Sequence, residues 1–339
     1  FNKQNRFYSL AWPSTDFLIT VIIVLMLCLG GNLILSGKSD INPAVFIGFL
    51  GVLYSIISPI RDMMKCTFGI RKAMASVVRL NKILAINDEI INEKKDSISE
   101  SKEIPIIAIK DLSFKYDNES VLENISLQIN KGQKVAILGA TGSGKSTLLS
   151  LLIRLYDDYE GTIQIGGKDI RSYSYNTIRN YITYVPQNPL LLNDSIKNNI
   201  TLCNDKFSEE DIIRAAKQAE IHDFITLLPD DYNTIIGDRG CNLSGGQQQG
   251  ISLTRAFIKD SPILLIDEGT AALDPELESN VMSNIINNMN DKTMIIVSHK
   301  ISTVLNADYV YVFNDGKIIE SGNPKELWHR NGYFRSMAN

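Results

Sequence analysis

Gly139-Ala-Thr-Gly-Ser-Gly-Lys-Ser146 is the stretch on which the reading of this chain turns. It follows the apolar run Val135-Ala-Ile-Leu138 and precedes Thr147-Leu-Leu-Ser-Leu-Leu-Ile153, so the order is strand, glycine-rich loop, helix. That is the context the pattern G-x-x-x-x-G-K-[ST] needs if it is to cradle phosphates. Glycines let the backbone wrap tightly with its N–H groups turned inward, a nest for anionic oxygens at a helix N-terminus. Lys145 would then place a positive charge on the outer phosphates, and the Ser146 hydroxyl would ligate Mg²⁺. The plain alternative is a glycine turn ahead of a helix that happens to carry Lys-Ser; the partners further along the chain decide against it.

Two later apolar runs end in chemistry. Ile263-Leu-Leu-Ile266 follows Pro262 and leads into Asp267-Glu268, which reads as a buried parallel strand presenting carboxylates at its C-terminal end. That end of an α/β sheet is where ligands bind. Asp267 would hold Mg²⁺, and Glu268 would orient or deprotonate an attacking water. Taken alone, the pair reads equally well as an acidic helix cap; beside a phosphate loop the catalytic reading prevails. Met294-Ile-Ile-Val297 delivers Ser298-His299 in the same way, which points His299 at a γ-phosphate. His222 and His329 lack such a context and read as surface or packing residues.

The chain has 339 residues, 44% of them hydrophobic, which leaves room for two domains. Lys+Arg 34 against Asp+Glu 38 gives a net charge of −4, so no basic footprint points to nucleic acid. Cys28, Cys66, Cys203 and Cys241 are scattered, without a disulfide or zinc spacing. Residues 17–37 and 41–60 carry no charge, apart from the break Lys38-Ser-Asp40, and each is long enough for a helix to cross ~30 Å of hydrocarbon. Lys3 and Arg6 lie before the pair, and Arg61, Lys65, Arg71 and Lys72 after it. The positive-inside rule therefore puts both ends in the cytosol. Because the chain begins Phe1-Asn-Lys and two helices make a hairpin rather than a pathway, further membrane helices are expected upstream. The second span is expected to run on as a helix to Leu84; residues 88–103 read as a linker and 104–339 as a soluble domain. In that domain Ile106–Ile109, Leu112–Phe114 and Ile125–Ile129 read as strands, and Ser208–Ala219 as a capped amphipathic helix.

Leu243-Ser-Gly-Gly-Gln247, lying between the phosphate loop and Asp267-Glu268, resembles the signature motif of ATP-binding-cassette (ABC) proteins. The ordered set Tyr116, Gly139–Ser146, Gln187, Leu243–Gln247, Asp267-Glu268, Ala272-Leu-Asp274 and His299 is similar to that family from about residue 105 to the end. Residues 1–87 resemble the last membrane helices of an exporter half-transporter of the bacterial lipid-flipping and multidrug type. The resemblance implies an α/β P-loop NTPase cassette (RecA-like core, antiparallel β subdomain, helical subdomain) preceded by an all-α transmembrane hairpin.

What the family implies for single residues follows. Tyr116 would stack on adenine. Gly139, Ala140, Thr141, Gly142, Ser143, Gly144, Lys145, Ser146 and Thr147 would wrap the phosphates. Gln187 would contact Mg²⁺ and the attacking water and face the membrane domain. Ser244, Gly245, Gly246 and Gln247 would face ATP held by a second chain, with Ser244 and Gly246 on its γ-phosphate. Glu268 would be the general base, His299 the γ-phosphate switch, and Asp274 part of a loop crossing the dimer interface. The resemblance thus implies an ATPase using ATP and Mg²⁺, with a second half-transporter chain as partner, an identical copy or a paralogue, the complete motif set permitting a homodimer. Its place would be the plasma or inner membrane, multi-pass, with the ATP-binding domain in the cytoplasm. The cargo would be a lipid or a hydrophobic, drug-like compound, a peptide or protein being the alternative. A soluble ABC ATPase acting on DNA or ribosomes conflicts with the two spans, and a non-hydrolysing ATP-gated module with the intact Asp267-Glu268 and His299. Two departures stand out. Gln248-Gln-Gly250 replaces the family's Arg-Gln-Arg, and Ala271-Ala-Leu-Asp274 its Ser-Ala-Leu-Asp. Gly250 is expected to weaken its helix, a mid-helix glycine costing about 1 kcal/mol.

Overall fold

A computed structural model of the chain describes residues 2–36, 42–85, 97–98, 104–270, 272–288, 291–299, 301–330 and 332–336. The Lys38-Ser-Asp40 break, nearly all of the 88–103 linker and Ala271 lie outside the described residues. The chain divides into two compact units, Phe1–Asp88 and Glu89–Asn339.

The first unit holds two helices, α1 (Asn2–Leu35) and α2 (Pro43–Leu84). Asp16–Leu35 is long and apolar enough to cross a membrane, 20 residues with a mean hydropathy of 2.7. The apolar part of α2, Pro43–Pro59, is shorter than that, so among the described residues there is one full-length candidate span where the sequence suggested two. Asn42 caps α2 through its side chain, which accepts from the Ala44 N–H. The helix then runs without a break through Pro59 to Leu84, as its uninterrupted pattern implied. Leu18, Leu29, Ile47 and Val52 stand exposed, an arrangement suited to a non-aqueous surround.

The second unit begins with an antiparallel pair, β1 (Ile107–Tyr116) and β2 (Glu119–Ile129). The two runs expected as separate strands, Ile106–Ile109 and Leu112–Phe114, form one strand. Asp111 adopts φ 50° and shifts the register, yet pairing with β2 resumes beyond it. Then come β3 (Lys134–Gly139), α3 (Lys145–Leu152), β4 (Glu160–Ile165), β5 (Lys168–Asp169), α4 (Tyr175–Tyr181) and β6 (Ile182–Val185). A helical segment follows: α5 (Ile196–Thr201), α6 (Glu209–Gln218), α7 (His222–Thr226) and α8 (Gly245–Lys259). Ser208 caps α6 in a reciprocal capping box with Asp211. The unit closes with β7 (Ile263–Asp267), α9 (Pro275–Asn288), β8 (Thr293–Val297), α10 (Ile301–Leu305), β9 (Tyr309–Asn314), β10 (Lys317–Gly322), α11 (Pro324–His329) and α12 (Tyr333–Ser336).

Two sheets result. One is antiparallel, in the order β2-β1-β4-β5; the other runs β10-β9-β3-β8-β7-β6, parallel except for β10. The central strands are buried on both faces, and alternation sorts their side chains. Ile263 and Leu265 of β7, with Ile295 and Val297 of β8, join the core shared with the antiparallel sheet. Leu264, Ile266, Met294 and Ile296 join the core formed with α6 and α8. Each such side chain contributes ~1.5–3 kcal/mol by leaving water.

The cost anticipated at Gly250 is offset by packing. The residue is buried, and a Cβ built on it would lie 2.6 Å from Ile221 Cδ1 and 3.2 Å from Ile221 Cβ. The glycine lets Ile221, only 4% exposed, press against the α8 backbone. Gly250→Ala is therefore expected to destabilise despite gaining helix propensity. The clash costs ~1–3 kcal/mol against the ~1 kcal/mol gained. Thermal unfolding of Gly250→Ala, of Ile221→Ala and of the pair checks this, since the alanine at 250 is expected to cost less once Ile221 is truncated.

Candidate active site

Parallel pairing brings three strand ends to one level. Asp267 pairs with Val297, and Val297 pairs with Ile137, so β7, β8 and β3 end side by side. The loop after β3 uses φ 82° at Gly142 and 93° at Gly144. A side chain at Gly144 would also collide with Leu122 and the Val121 carbonyl. Gly144 is the N-cap of α3 and caps it with no side chain, which leaves the first N–H groups of that helix open. Lys145 is buried, and its Nζ donates to the carbonyls of Gly139 (2.9 Å) and Ala140 (2.7 Å). Burial lowers its pKa, while the Glu268 and Asp267 carboxylates act the other way. The Ser143 hydroxyl is buried without a hydrogen-bond partner. An orphaned donor and a folded-back ammonium around an uncapped helix end fit an oligophosphate.

The carboxylates sit differently. Asp267 is 3% exposed and accepts at Oδ2 from the Tyr184 hydroxyl at 3.1 Å. Burial first, then the Asp267 charge, pushes the Tyr184 phenol upward, so it stays a donor. Glu268 has φ 49°, and its N–H donates to the Val297 carbonyl. Gln187 Nε2 donates to Glu268 Oε2 at 2.6 Å, and His299 Nε2 lies 2.5 Å from Glu268 Oε1. One carboxylate is thus clasped at both oxygens by two side chains remote in sequence. The groups that could hold Mg²⁺, the Ser146 hydroxyl and the Asp267 carboxylate, would offer hard oxygens. Among the described residues no cluster of three or more His, Cys, Asp or Glu side chains forms a metal cage. Few protein oxygens, with room for phosphate oxygens and water, suit an ion that enters with a nucleotide.

Tyr116 is 37% exposed at the end of β1, its hydroxyl 3.5 Å from Thr147 Oγ1. Tyr156 stands edge-on to it, with ring centroids 5.3 Å apart, and Phe114 meets both rings. Tyr156 and Tyr184 were not singled out in the sequence; each lies next to an expected site residue only in space.

The signature forms the start of α8. Ser244 is its N-cap, with Oγ accepting from the Gln247 N–H while Gln247 Oε1 accepts from the Ser244 N–H. The Ser244 hydroxyl proton remains free to donate. Gln248 donates to the Gly240 and Leu243 carbonyls, so this departure from arginine stitches the preceding turn. A cleft of about 570 Å³ is lined by Ser244, Gly245, Gly246, Gln247 and Asp274, and by none of residues 139–147. The structure does not unite the signature with the phosphate loop of the same chain in that cleft. Asp274 Oδ1 accepts from the Leu277 N–H at the start of α9. His222, read as a packing residue, bonds Tyr232 at 2.9 Å.

The family described as ABC transporter matches residues 122–271. The chain carries an ABC transporter ATP-binding domain. It is 38% identical to the ATP-dependent lipid A-core flippase of Desulfotalea psychrophila over 91% of this chain and 54% of that protein. It is also 38% identical to the beta-(1-->2)glucan export ATP-binding/permease protein NdvA of Rhizobium etli, over 94% of this chain and 54% of the relative. A solved bacterial Atm1-family ABC exporter with ATP bound superposes with a TM-score of 0.75 at 29% identity, covering 98% of this chain and 60% of that one. The chain spans just over half the length of the curated relatives it matches.

If Tyr116 supports the adenine, Tyr116→Ala is expected to raise the KM for ATP about tenfold, the worth of one stacked base. Its kcat should stay within about twofold of wild type, because the clasp around Glu268 is untouched. Steady-state phosphate release against ATP concentration measures both.

Proposed function

We propose that this chain is the ATP-hydrolysing end of an exporter half-transporter that moves a lipid or similar amphiphile. The observation that carries the reading is the Glu268 carboxylate, fixed by Gln187 and His299 at the strand ends from which the phosphate loop springs. Residues 1–87 belong to the membrane domain in a multi-pass arrangement, 88–103 link it, and 104–339 hydrolyse ATP in the cytoplasm. The uncharged Asp16–Leu35 helix supports a membrane location. The relatives named lipid A-core flippase support a lipid as cargo, whereas the name of NdvA points to a glucan.

ATP would lie with its adenine on Tyr116 and its phosphates in the loop from Gly139 to Thr147. Lys145 would turn from the Gly139 and Ala140 carbonyls toward the outer phosphates, exchanging neutral acceptors for charged ones. Mg²⁺, held by Ser146 and Asp267, would neutralise charge on the phosphates. Glu268 would take a proton from the attacking water while Gln187 orients that water. His299 would hold the γ-phosphate. Ser244, with its free hydroxyl proton, would bind the γ-phosphate of ATP on an identical partner chain. ATP then joins two chains, and its hydrolysis releases them, an equilibrium biased by ligand.

Glu268→Gln keeps the side-chain shape and removes the base. Turnover is expected to fall ~10²–10⁴-fold while ATP binding persists and ATP-bound dimers accumulate. Phosphate release and light scattering with ATP check this; wild-type turnover would remove Glu268 from the role.

A further inference from the structure

Gln249, the middle residue of the Gln248-Gln-Gly250 run, has a role beyond its place in a helix. It is 3% exposed in the second turn of α8. Its side chain reaches the backbone of three segments around the site. Nε2 faces the carbonyl of Gln187 at 3.3 Å and that of Glu268 at 3.5 Å. Oε1 accepts the N–H of Ala272 at 2.9 Å. We propose that Gln249 is a positioning residue for ATP hydrolysis, tying the signature helix to the segments that carry Gln187, Glu268 and Asp274. This rests on the reading of the domain as a Glu268-dependent ATPase.

The chemistry of the contact calls for a primary amide. Two carbonyls take donors and one N–H takes an acceptor, around a side chain that is itself buried. A carboxylate could not donate, and a lysine or arginine could not accept. The same helix holds the Gln187 segment a second time. Arg255 Nη1 donates to the Leu190 carbonyl, and its Nε and Nη2 bond Asn199, which in turn bonds both backbone groups of Leu192. At the other end of the helix, the signature backbone lies close to Ala272. A Cβ on Gly246 would stand 3.1 Å from the Ala272 carbonyl oxygen. A shift of α8 when Ser244 gains or loses a phosphate would therefore pull on Gln187 and Ala272 together. The pull at Glu268 would come through its carbonyl, leaving the carboxylate in its clasp. Gln249 is the one side chain among the described residues that bonds all three segments.

The test uses the full chain in detergent with Mg-ATP and the variant Gln249→Met, which keeps the length and removes donor and acceptor. The expected result is a kcat lowered roughly ten- to hundredfold, the effect of leaving buried polar groups unpaired at a reacting centre. KM and ATP affinity are expected to stay within about twofold, since no group proposed to bind ATP is altered. Hydrogen exchange at the Ala272 amide should speed up about tenfold or more on loss of its acceptor, while Ile263–Ile266 keeps its protection. Wild-type kcat, or unchanged exchange at Ala272, would overturn the proposal. So would loss of protection across β7, which would make Gln249 a merely structural residue. Turnover that survives Glu268→Gln would instead remove Glu268 from the role of base, and absence of phosphate release by the wild-type chain would bring down the ATPase reading; both are separate outcomes.

Discussion

Parallel pairing of β3, β8 and β7 sets the positions of everything else. Because Ile137, Val297 and Asp267 stand at one level, the residues that follow each of them leave the sheet together. The phosphate loop, the Asp267-Glu268 pair and Ser298-His299 meet for that reason alone. Alternating apolar side chains lock the register, since a slip of one residue would exchange the two core faces of β7. Carboxylates next to a dry sheet end are costly unless paired. Tyr184 satisfies Asp267, and Gln187 and His299 satisfy Glu268.

On the proposed reading the domain would hold only part of a reaction centre. The signature lines its own cleft with Asp274, apart from the phosphate loop. Its serine accepts a backbone N–H and keeps its hydroxyl proton, which an anion from outside could accept. A capped helix with an unspent donor and an uncapped helix with open N–H groups would be complementary ends of one phosphate-binding arrangement. Two copies of the chain would supply both.

Much of this was legible in the residues. The Ile263–Ile266 run ending in acids, the glycine loop before Lys145 and the Ser208 cap depend on short-range pattern, and each element lies where the pattern put it. What escaped reading depends on contacts between distant segments. Nothing near Tyr184 says that Asp267 lies across the neighbouring strand, or that Tyr156 meets Tyr116. Gly250 looked like a weakness because Ile221, which fills the space, stands 29 residues earlier at the start of α7. Gln249 looked like one polar residue among three until its carbonyl partners came into view. Asp111 at positive φ hid the fact that two apolar runs make one strand.

The central claim is that one chain has two half-sites and no whole one. Phosphate release by the detergent-solubilised chain with saturating Mg-ATP, followed over a wide range of protein concentration, tests it most directly. Specific activity that climbs with concentration and levels off as dimers fill is the expected result. Specific activity independent of concentration, from a species shown by sedimentation to be monomeric, would contradict it.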